Sequence, residues 1–391
     1  MEIRRYREED RGALAKLMVT AFGGSAAHAE RYFDPEQNPR LDPDGVFVIE
    51  DDGEVRASAT VLPMEVFVDG EPAPMGGVAA VMAHPAYRRR RYAGDLMRAA
   101  LDDMRGRGIH ISMLSPFAHA FYRSFGYELA TEVVEYALKP TDLPTGPEQS
   151  NLRAYRRDDL PAMMALMEAE SKEHQVCALR SEAHWRKVLE GDTEATVYEG
   201  EGGVEGYLIY ELSGWREGRE PARRIEAEEL VAGTPAARQG LISFLAALDP
   251  NAIDVRHWTS RGNPLHPYLR SSFVDAKIEP DQMLRLVDVE GALRLLDRKG
   301  GGPLVLEVSD DTVPENAGEY TIGGGEVVRG AEAGDRVSLD VRQIAQLFAG
   351  YLPARQLARH GLVEAGSPGA LDLLEQLFPV GDPWLFGRDH F

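Results

Sequence analysis

A single cysteine, Cys177, stands among 391 residues. That excludes an internal disulfide framework and any cysteine-built zinc cluster. A small core residue is the simplest role left for it. Positive charge is scarce too: 43 Lys and Arg face 64 Asp and Glu, a formal net charge of -21. A surface of that sign repels polyanions, which argues against nucleic acid and favours cationic small molecules as partners. No run is long and apolar enough to span a membrane, and the N-terminus lacks a secretory pattern. The expectation is a protein of the reducing cytoplasm with no membrane partner. What is present is globular, 43% hydrophobic and 27% charged, in a length that suits two to three domains.

Against that acidity, residues 83–108, "AHPAYRRRRYAGDLMRAALDDMRGRG", place four arginines in a row. Before them Val78-Ala79-Ala80-Val81-Met82 reads as a buried strand. After them Leu96, Met97, Ala100, Leu101 and Met104 recur at helical spacing, and Gly106 and Gly108 end the helix. The arginines and Gly94 therefore sit on a strand-to-helix turn. A helix N-terminus offers unpaired N–H groups and the positive end of a dipole. Arginines there add charge-assisted bonds to phosphate oxygens. A solvated charge run is the plainer reading of four arginines alone; the flanks favour an anion site for a phosphorylated cofactor.

The chain repeats itself. "IRRYREEDRGALAKLM" begins at Ile3 and "LRAYRRDDLPAMMALM" at Leu152, so that Arg4, Tyr6, Arg7 and Asp10 match Arg153, Tyr155, Arg156 and Asp159. The register holds into "VIEDDGEV" from Val48 and "VYEGEGGV" from Val197, where Glu50 and Gly53 match Glu199 and Gly202. Two copies of one α/β unit follow, each with a strand, helices and a hairpin closed by a Gly turn. They diverge at the arginine turn. The second copy has "GTPAARQGLISFLAAL" from Gly233, with Pro235 and Arg238 but no cluster. Only the first copy is expected to bind the cofactor well. Beyond the Gly300-Gly301-Gly302-Pro303 turn, a third region holds a strand at Leu304, Leu306 and Val308, a hairpin in "GEYTIGGGEVVRG" and amphipathic helices in "VRQIAQLFAGYL" and "ALDLLEQLF". The last residues, "DPWLFGRDHF", are aromatic-rich, unlike a frayed tail.

Strand, arginine turn, helix, the strand "IHISMLSP" and then "FYRSFGYE" resemble the GCN5-related N-acetyltransferase (GNAT) superfamily. Its Arg-x-x-Gly-x-Gly/Ala turn holds the pyrophosphate of acetyl-CoA. Arg88, Arg89, Arg90, Tyr92, Ala93 and Gly94 occupy that stretch, and Arg91 stands where the first Gly is expected. The tandem copies with a third region resemble the enhanced intracellular survival (Eis) family, over essentially all 391 residues and most strongly at 78–128 and 304–391. The resemblance implies an α/β (α+β) fold: tandem mixed-sheet GNAT domains at 1–140 (catalytic) and 141–285 (degenerate), and a sterol-carrier-protein-like α+β domain at 286–391.

It also implies an acetyl-CoA-dependent N-acetyltransferase, needing no metal, that acts on primary amines of cationic small molecules: aminoglycoside-like compounds, polyamines or lysine side chains. Transfer would be direct. Tyr122 would be the acid, a phenol of ordinary pKa ~10 being a fair donor to a thiolate; Tyr127 and a packing role for Tyr122 are the alternatives. The base would be the terminal carboxylate of Phe391, intrinsically weak at a pKa of ~3.5. The family often has an acidic residue just before its last; here His390 stands there after Asp389. Backbone groups of Val81, Met82 and Ala83 would pair with the pantetheine arm. His84 and His119 read as turn or surface residues. By analogy the assembly is a homo-oligomer, a hexamer. The rival class is a non-catalytic acyl-CoA or lipid carrier.

Overall fold

The computed structural model describes all of the chain except residues 147–149, 191–192, 214–222, 250–251, 298–300 and 331–333. Gly300 of the expected glycine turn lies outside the described residues; Gly301, beside it, has φ +82°. The contacts divide the chain into two compact units: 1–130 with 281–381 and 391, and 131–280 with 382–390.

The first unit starts with β1 (Glu2–Arg5), α1 (Arg11–Phe22) and α2 (Ala26–Tyr32). Then come β2 (Val46–Asp51), β3 (Glu54–Val68) and β4 (Glu71–Ala83). The arginine turn leads into α3 (Tyr92–Gly106), followed by β5 (Ile111–Leu114), α4 (His119–Arg123) and β6 (Glu128–Leu129). The apolar stripe of α3, Leu96, Met97, Ala100, Leu101 and Met104, is fully buried. It packs on Val61 and Val78 of the sheet, as a 3.6-residue period requires.

The second unit holds β7 (Glu132–Leu138), β8 (Leu152–Ala154), α5 (Leu160–Lys172), α6 (Glu182–Val188), β9 (Glu194–Gly200), β10 (Gly203–Ser213), β11 (Arg223–Ala232), α7 (Pro235–Ala247), β12 (Ala252–Thr259) and β13 (Asp275–Pro280). Its seven strands run in the order β13-β7-β12-β11-β10-β9-β8. Cys177 is buried in it, as expected of a core residue.

The repeat read in the sequence is a repeated ion-pair knot. Arg4 forks onto Asp10 at 2.7 and 2.8 Å and reaches Glu50 at 2.8 Å. In the second unit Arg153 forks onto Asp159 at 2.7 and 2.8 Å and onto Glu199. Each aspartate also accepts the backbone N–H three residues before it, Arg7 at 2.8 Å and Arg156 at 2.7 Å. A bidentate pair with a second carboxylate fixes the entry of the first helix against the hairpin.

The remaining strand of the first sheet comes from far along the chain. β14 (Met283–Leu286) lies between β5 and β6, completing the order β1-β2-β3-β4-β5-β14-β6. Its Arg285 is fully buried and pairs with Asp310 at 2.6 Å. After α8 (Val289–Leu293) come β15 (Leu304–Ser309), β16 (Gly318–Gly323), β17 (Glu326–Arg329) and β18 (Asp335–Asp340). Then α9 (Val341–Phe348), α10 (Ala354–Arg359), β19 (Val363–Ala365) and α11 (Pro368–Leu377) complete a layer on a five-stranded sheet ordered β17-β16-β15-β18-β19. The fold is mixed α/β, with two seven-stranded sheets and a third, five-stranded one. Among the described residues no helix is long and apolar enough to cross a membrane.

Candidate active site

β4 and β5 pair in parallel only from Met75↔Ile111 to Gly77↔Met113. β4 then runs on to Ala83 while β5 stops at Leu114. The strands part, and among the described residues no strand pairs with the β5-facing edge of β4 beyond Gly77. A bulge accompanies the parting: Ser58 faces Met82 and Thr60 faces Ala79, so one residue of β3 opposes two of β4. Ala80 sits in that bulge with φ +48°, a left-handed conformation that costs an L-residue on the order of 1 kcal/mol.

A cleft of about 410 Å³ opens there, walled by Val78–Val81, Ser115, Phe117 and Tyr122 on one side and by Met18, Phe22, His28 and Tyr32 on the other, with Phe391 between. Gly23 and Gly24, at φ +80° and +84°, turn the chain from α1 into α2 and so build the second wall. The Phe391 ring lies over Gly77, where an added Cβ would come within 3.0 Å of it. Only a residue without a side chain admits the ring that close.

Tyr122 lies on α4 with its ring against Phe117 and Phe121, centroids 5.2 and 5.0 Å away. Burial pushes its phenol well above the ordinary range, with Tyr127 adding to the shift. The group therefore keeps its proton at neutral pH. Tyr127 is fully buried, and its hydroxyl lies 2.8 Å from that of Ser112, which donates to Gly76 O at 2.7 Å. Burial pushes Tyr127 up to about 12. It does not line the cleft.

The turn after β4 begins with Pro85–Tyr87 in a 3₁₀ turn capped by His84, whose Nδ1 accepts from Ala86 N at 3.3 Å. His84 thus has the turn role expected of it. Arg89 and Arg91 have φ +65° and +66°. The departure at Arg91 falls where the backbone is left-handed, the conformation that glycine adopts without cost. The Arg91 side chain makes no capping bond to the first N–H groups of α3.

Arg88, Arg89, Arg90 and Arg91 are all exposed, and Arg90 also lies 3.7 Å from Asp51 and 4.7 Å over the Tyr87 ring. Tyr92 is buried and donates to Asp51 at 2.7 Å. Gly94 faces Phe125, whose ring would meet a Cβ at 3.4 Å, and Ala93 is half-buried beside it. Of the strand residues, Val81 lines the cleft, Met82 turns its side chain into the core and Ala83 ends β4. His119 opens α4 and lies outside the cleft lining.

The second unit carries the same scaffold in a different state. β11 and β12 pair only from Arg223↔Ala252 to Ala227↔His257, while β11 continues to Ala232. Here Trp384 and Phe386 pack against Tyr207, Ile209 and Val231, and about 10 Å³ of open volume remains beside them. Arg180, fully buried, holds Asp389 at 2.7 and 2.9 Å and also Glu229 of β11. The start of α7 is capped: Thr234 Oγ1 accepts from Ala237 N at 3.2 Å. Arg238 is turned to Asn263 and the Tyr268 ring. A filled parting and a capped helix leave this copy without the open features of the first.

Sequence reasoning missed the α1–α2 wall and the Asp51–Tyr87–Arg90 cluster. "FGGS" after an apolar helix is the one local sign of the former; the latter joins the end of β2 to the turn after β4 and has none.

Residues 2–130 and 177–286 match families described as acetyltransferase (GNAT) domain, and 289–386 match the sterol carrier protein domain. The chain is 24% identical to an uncharacterized N-acetyltransferase of Streptomyces avermitilis, over 98% of both chains. An uncharacterized N-acetyltransferase of Streptomyces coelicolor is 25% identical over 95% of both. Among solved structures, a GCN5-related N-acetyltransferase from Anabaena variabilis superposes with a TM-score of 0.88 at 23% identity, covering 100% of each chain. Eis1 from Mycobacterium abscessus does so with a TM-score of 0.81 at 24% identity, also covering 100% of each.

With two such domains, the chain is an N-acetyltransferase of the GNAT class. A sterol-carrier domain follows the two, and the chain shares the fold of Eis1 over its whole length.

Proposed function

We propose that the first unit transfers an acetyl group from acetyl-CoA to a primary amine of a small molecule. The observation that carries this reading is the cleft where β4 parts from β5, with Tyr122 on its wall. Acetyl-CoA supplies the acetyl thioester. The residues present suit it: the uncapped start of α3 with exposed Arg88, Arg89 and Arg91 for phosphates, and the open edge at Val81, Met82 and Ala83 for amides of the pantetheine arm. Arg90, Tyr92, Ala93 and Gly94 shape the turn that holds them.

Tyr122 Oη carries the proton that the departing sulfur takes, and its burial keeps that proton in place until then. The terminal carboxylate of Phe391 receives the proton of the attacking amine, directly or through a water, and pairs with the cation before it reacts. In this reading a backbone N–H of the bulged stretch around Ala80 serves as the donor to the oxyanion. The second unit, with its parting filled, supplies scaffold.

Thiol release from acetyl-CoA with a panel of primary amines, including tobramycin and spermidine, tests this. Amine-dependent release supports transfer. No release with any amine, together with lipid that co-purifies, would instead favour a carrier built on the sterol-carrier domain.

A further inference from the structure

The acceptor side of the cleft has a chemistry of its own. The wall opposite β4 is Met18, Phe22, Ser25, His28, Ala29 and Tyr32, faced by Phe117. Among the described residues no Asp, Glu, Lys or Arg side chain lines the cleft. This is notable in a chain with 64 acidic side chains, where chance alone would supply several. Phe22 and Phe117 are 57% and 66% exposed, large rings held open to solvent at the rim. Exposed rings of that size lose favourable burial unless something apolar covers them.

Resting on the reading above, we infer that the preferred acceptor is a small monoamine with an aromatic or apolar body, not a polycation. The body lies between Phe22, Tyr32 and Phe117, where offset or edge-on ring contacts are favoured. Its one ammonium meets the one carboxylate expected in the cleft, that of Phe391. A polyamine or aminoglycoside brings several further ammonium groups to a wall with no carboxylate side chain for them, and each pays desolvation without a partner. The apolar wall also promotes reaction: it disfavours the charged form of the amine and so raises the fraction of neutral nucleophile. About 410 Å³ is at the small end of ligand cavities, which suits a single ring with a short amine arm.

The test has a binding arm and a turnover arm, both on the full chain. Binding of 2-phenylethylamine, spermidine and tobramycin is measured by calorimetry on the Tyr122→Phe protein with acetyl-CoA present. 2-Phenylethylamine is expected to bind on the order of 10-fold more tightly than either polycation. Phe22→Ala and Phe117→Ala, at exposed positions, are expected to weaken it roughly 10-fold while leaving acetyl-CoA affinity unchanged.

Turnover is then compared by kcat/KM on the unmodified protein. Tighter binding or higher kcat/KM for spermidine or tobramycin overturns the inference. So does full affinity for 2-phenylethylamine in both Phe→Ala proteins. Tight 2-phenylethylamine binding with no turnover of any amine would leave the acceptor inference standing and sink the acetyl-transfer reading instead.

Discussion

Tyr127 Oη lies 2.8 Å from Ser112 Oγ, both groups buried, while the Tyr122 ring five residues earlier lines the cleft. The two phenols of one motif thus have different surroundings, one closed in a hydrogen bond and one buried at the wall of the cleft. If Tyr122 is the acid, Tyr122→Phe lowers kcat by ~10²–10⁴ and leaves the melting temperature near that of the parent. Tyr127→Phe has the opposite profile: kcat within a few-fold, and stability lower by about 1 kcal/mol from the lost buried hydrogen bond. Steady-state kinetics and urea unfolding of the two proteins check this. The larger kcat loss in Tyr127→Phe would reverse the assignment.

The arginines of the turn divide in the same way. Arg88→Ala combined with Arg89→Ala is expected to raise KM for acetyl-CoA by ~10-fold or more, with little change in KM for the amine. Arg90→Ala acts mainly through the Asp51 and Tyr87 contacts, so its effect on acetyl-CoA is smaller. Equal effects in both proteins would mean that Arg90 leaves Asp51 when acetyl-CoA binds.

Phe391 can be displaced without touching Tyr122. A Val side chain at Gly77 would press on both the Phe391 ring and Met64 Sδ, each 3.0 Å from the Cβ position. Groups placed about 1 Å wrong cost ~10²-fold in favourable cases. Gly77→Val and a short Gly-Ser extension after Phe391 are both expected to depress kcat on that order in a protein still folded by circular dichroism. Parental activity in the extended protein would remove the terminal carboxylate from the mechanism.

Two buried histidines of the second unit give its stability a dependence on pH. His257 is fully buried, bonded to Ala227 O at 2.8 Å, and burial lowers its pKa from 6.5 to about 4. The folded chain therefore binds that proton less readily than the unfolded one. Its contribution is present above pH ~6.5 and is lost as pH falls toward ~4, by roughly 3 kcal/mol across the window. His174 behaves oppositely: despite burial, which works against it, Asp382 and Glu170 raise it to about 10. Its contribution is full below pH ~6.5 and lost as pH rises through ~10. Thermal melts from pH 4 to 10 should peak near neutrality, and His257→Gln should flatten the acid side alone. An unchanged acid limb in that protein would assign the loss to other groups.

Much of this molecule is legible in short stretches. The Arg4–Asp10 and Arg153–Asp159 knots bind residues six apart, so the repeat survives as a fixed spacing that a sequence can display. The stripe of α3 and the charge of its turn are likewise local, because a helix fixes its own geometry over three or four residues. The resemblance built on them identified the class of enzyme and the two tyrosines to compare.

Tertiary structure decided the rest. β14 enters the first sheet from residue 283 onward, beside strands that end by residue 129, and nothing in "MLRL" marks which sheet it joins. A short apolar strand pairs wherever a buried edge of matching register is free. The same holds for the two partings. Both copies have strands that separate, yet one gap is an open cleft and the other is filled by Trp384 and Phe386. The sequence displays the aromatic residues of that segment but not the gap they fill, because filling a gap depends on shapes assembled from segments more than 150 residues apart. The apolar acceptor wall is of the same kind: Phe22 and Phe117 are ordinary surface phenylalanines until the fold sets them across one cleft.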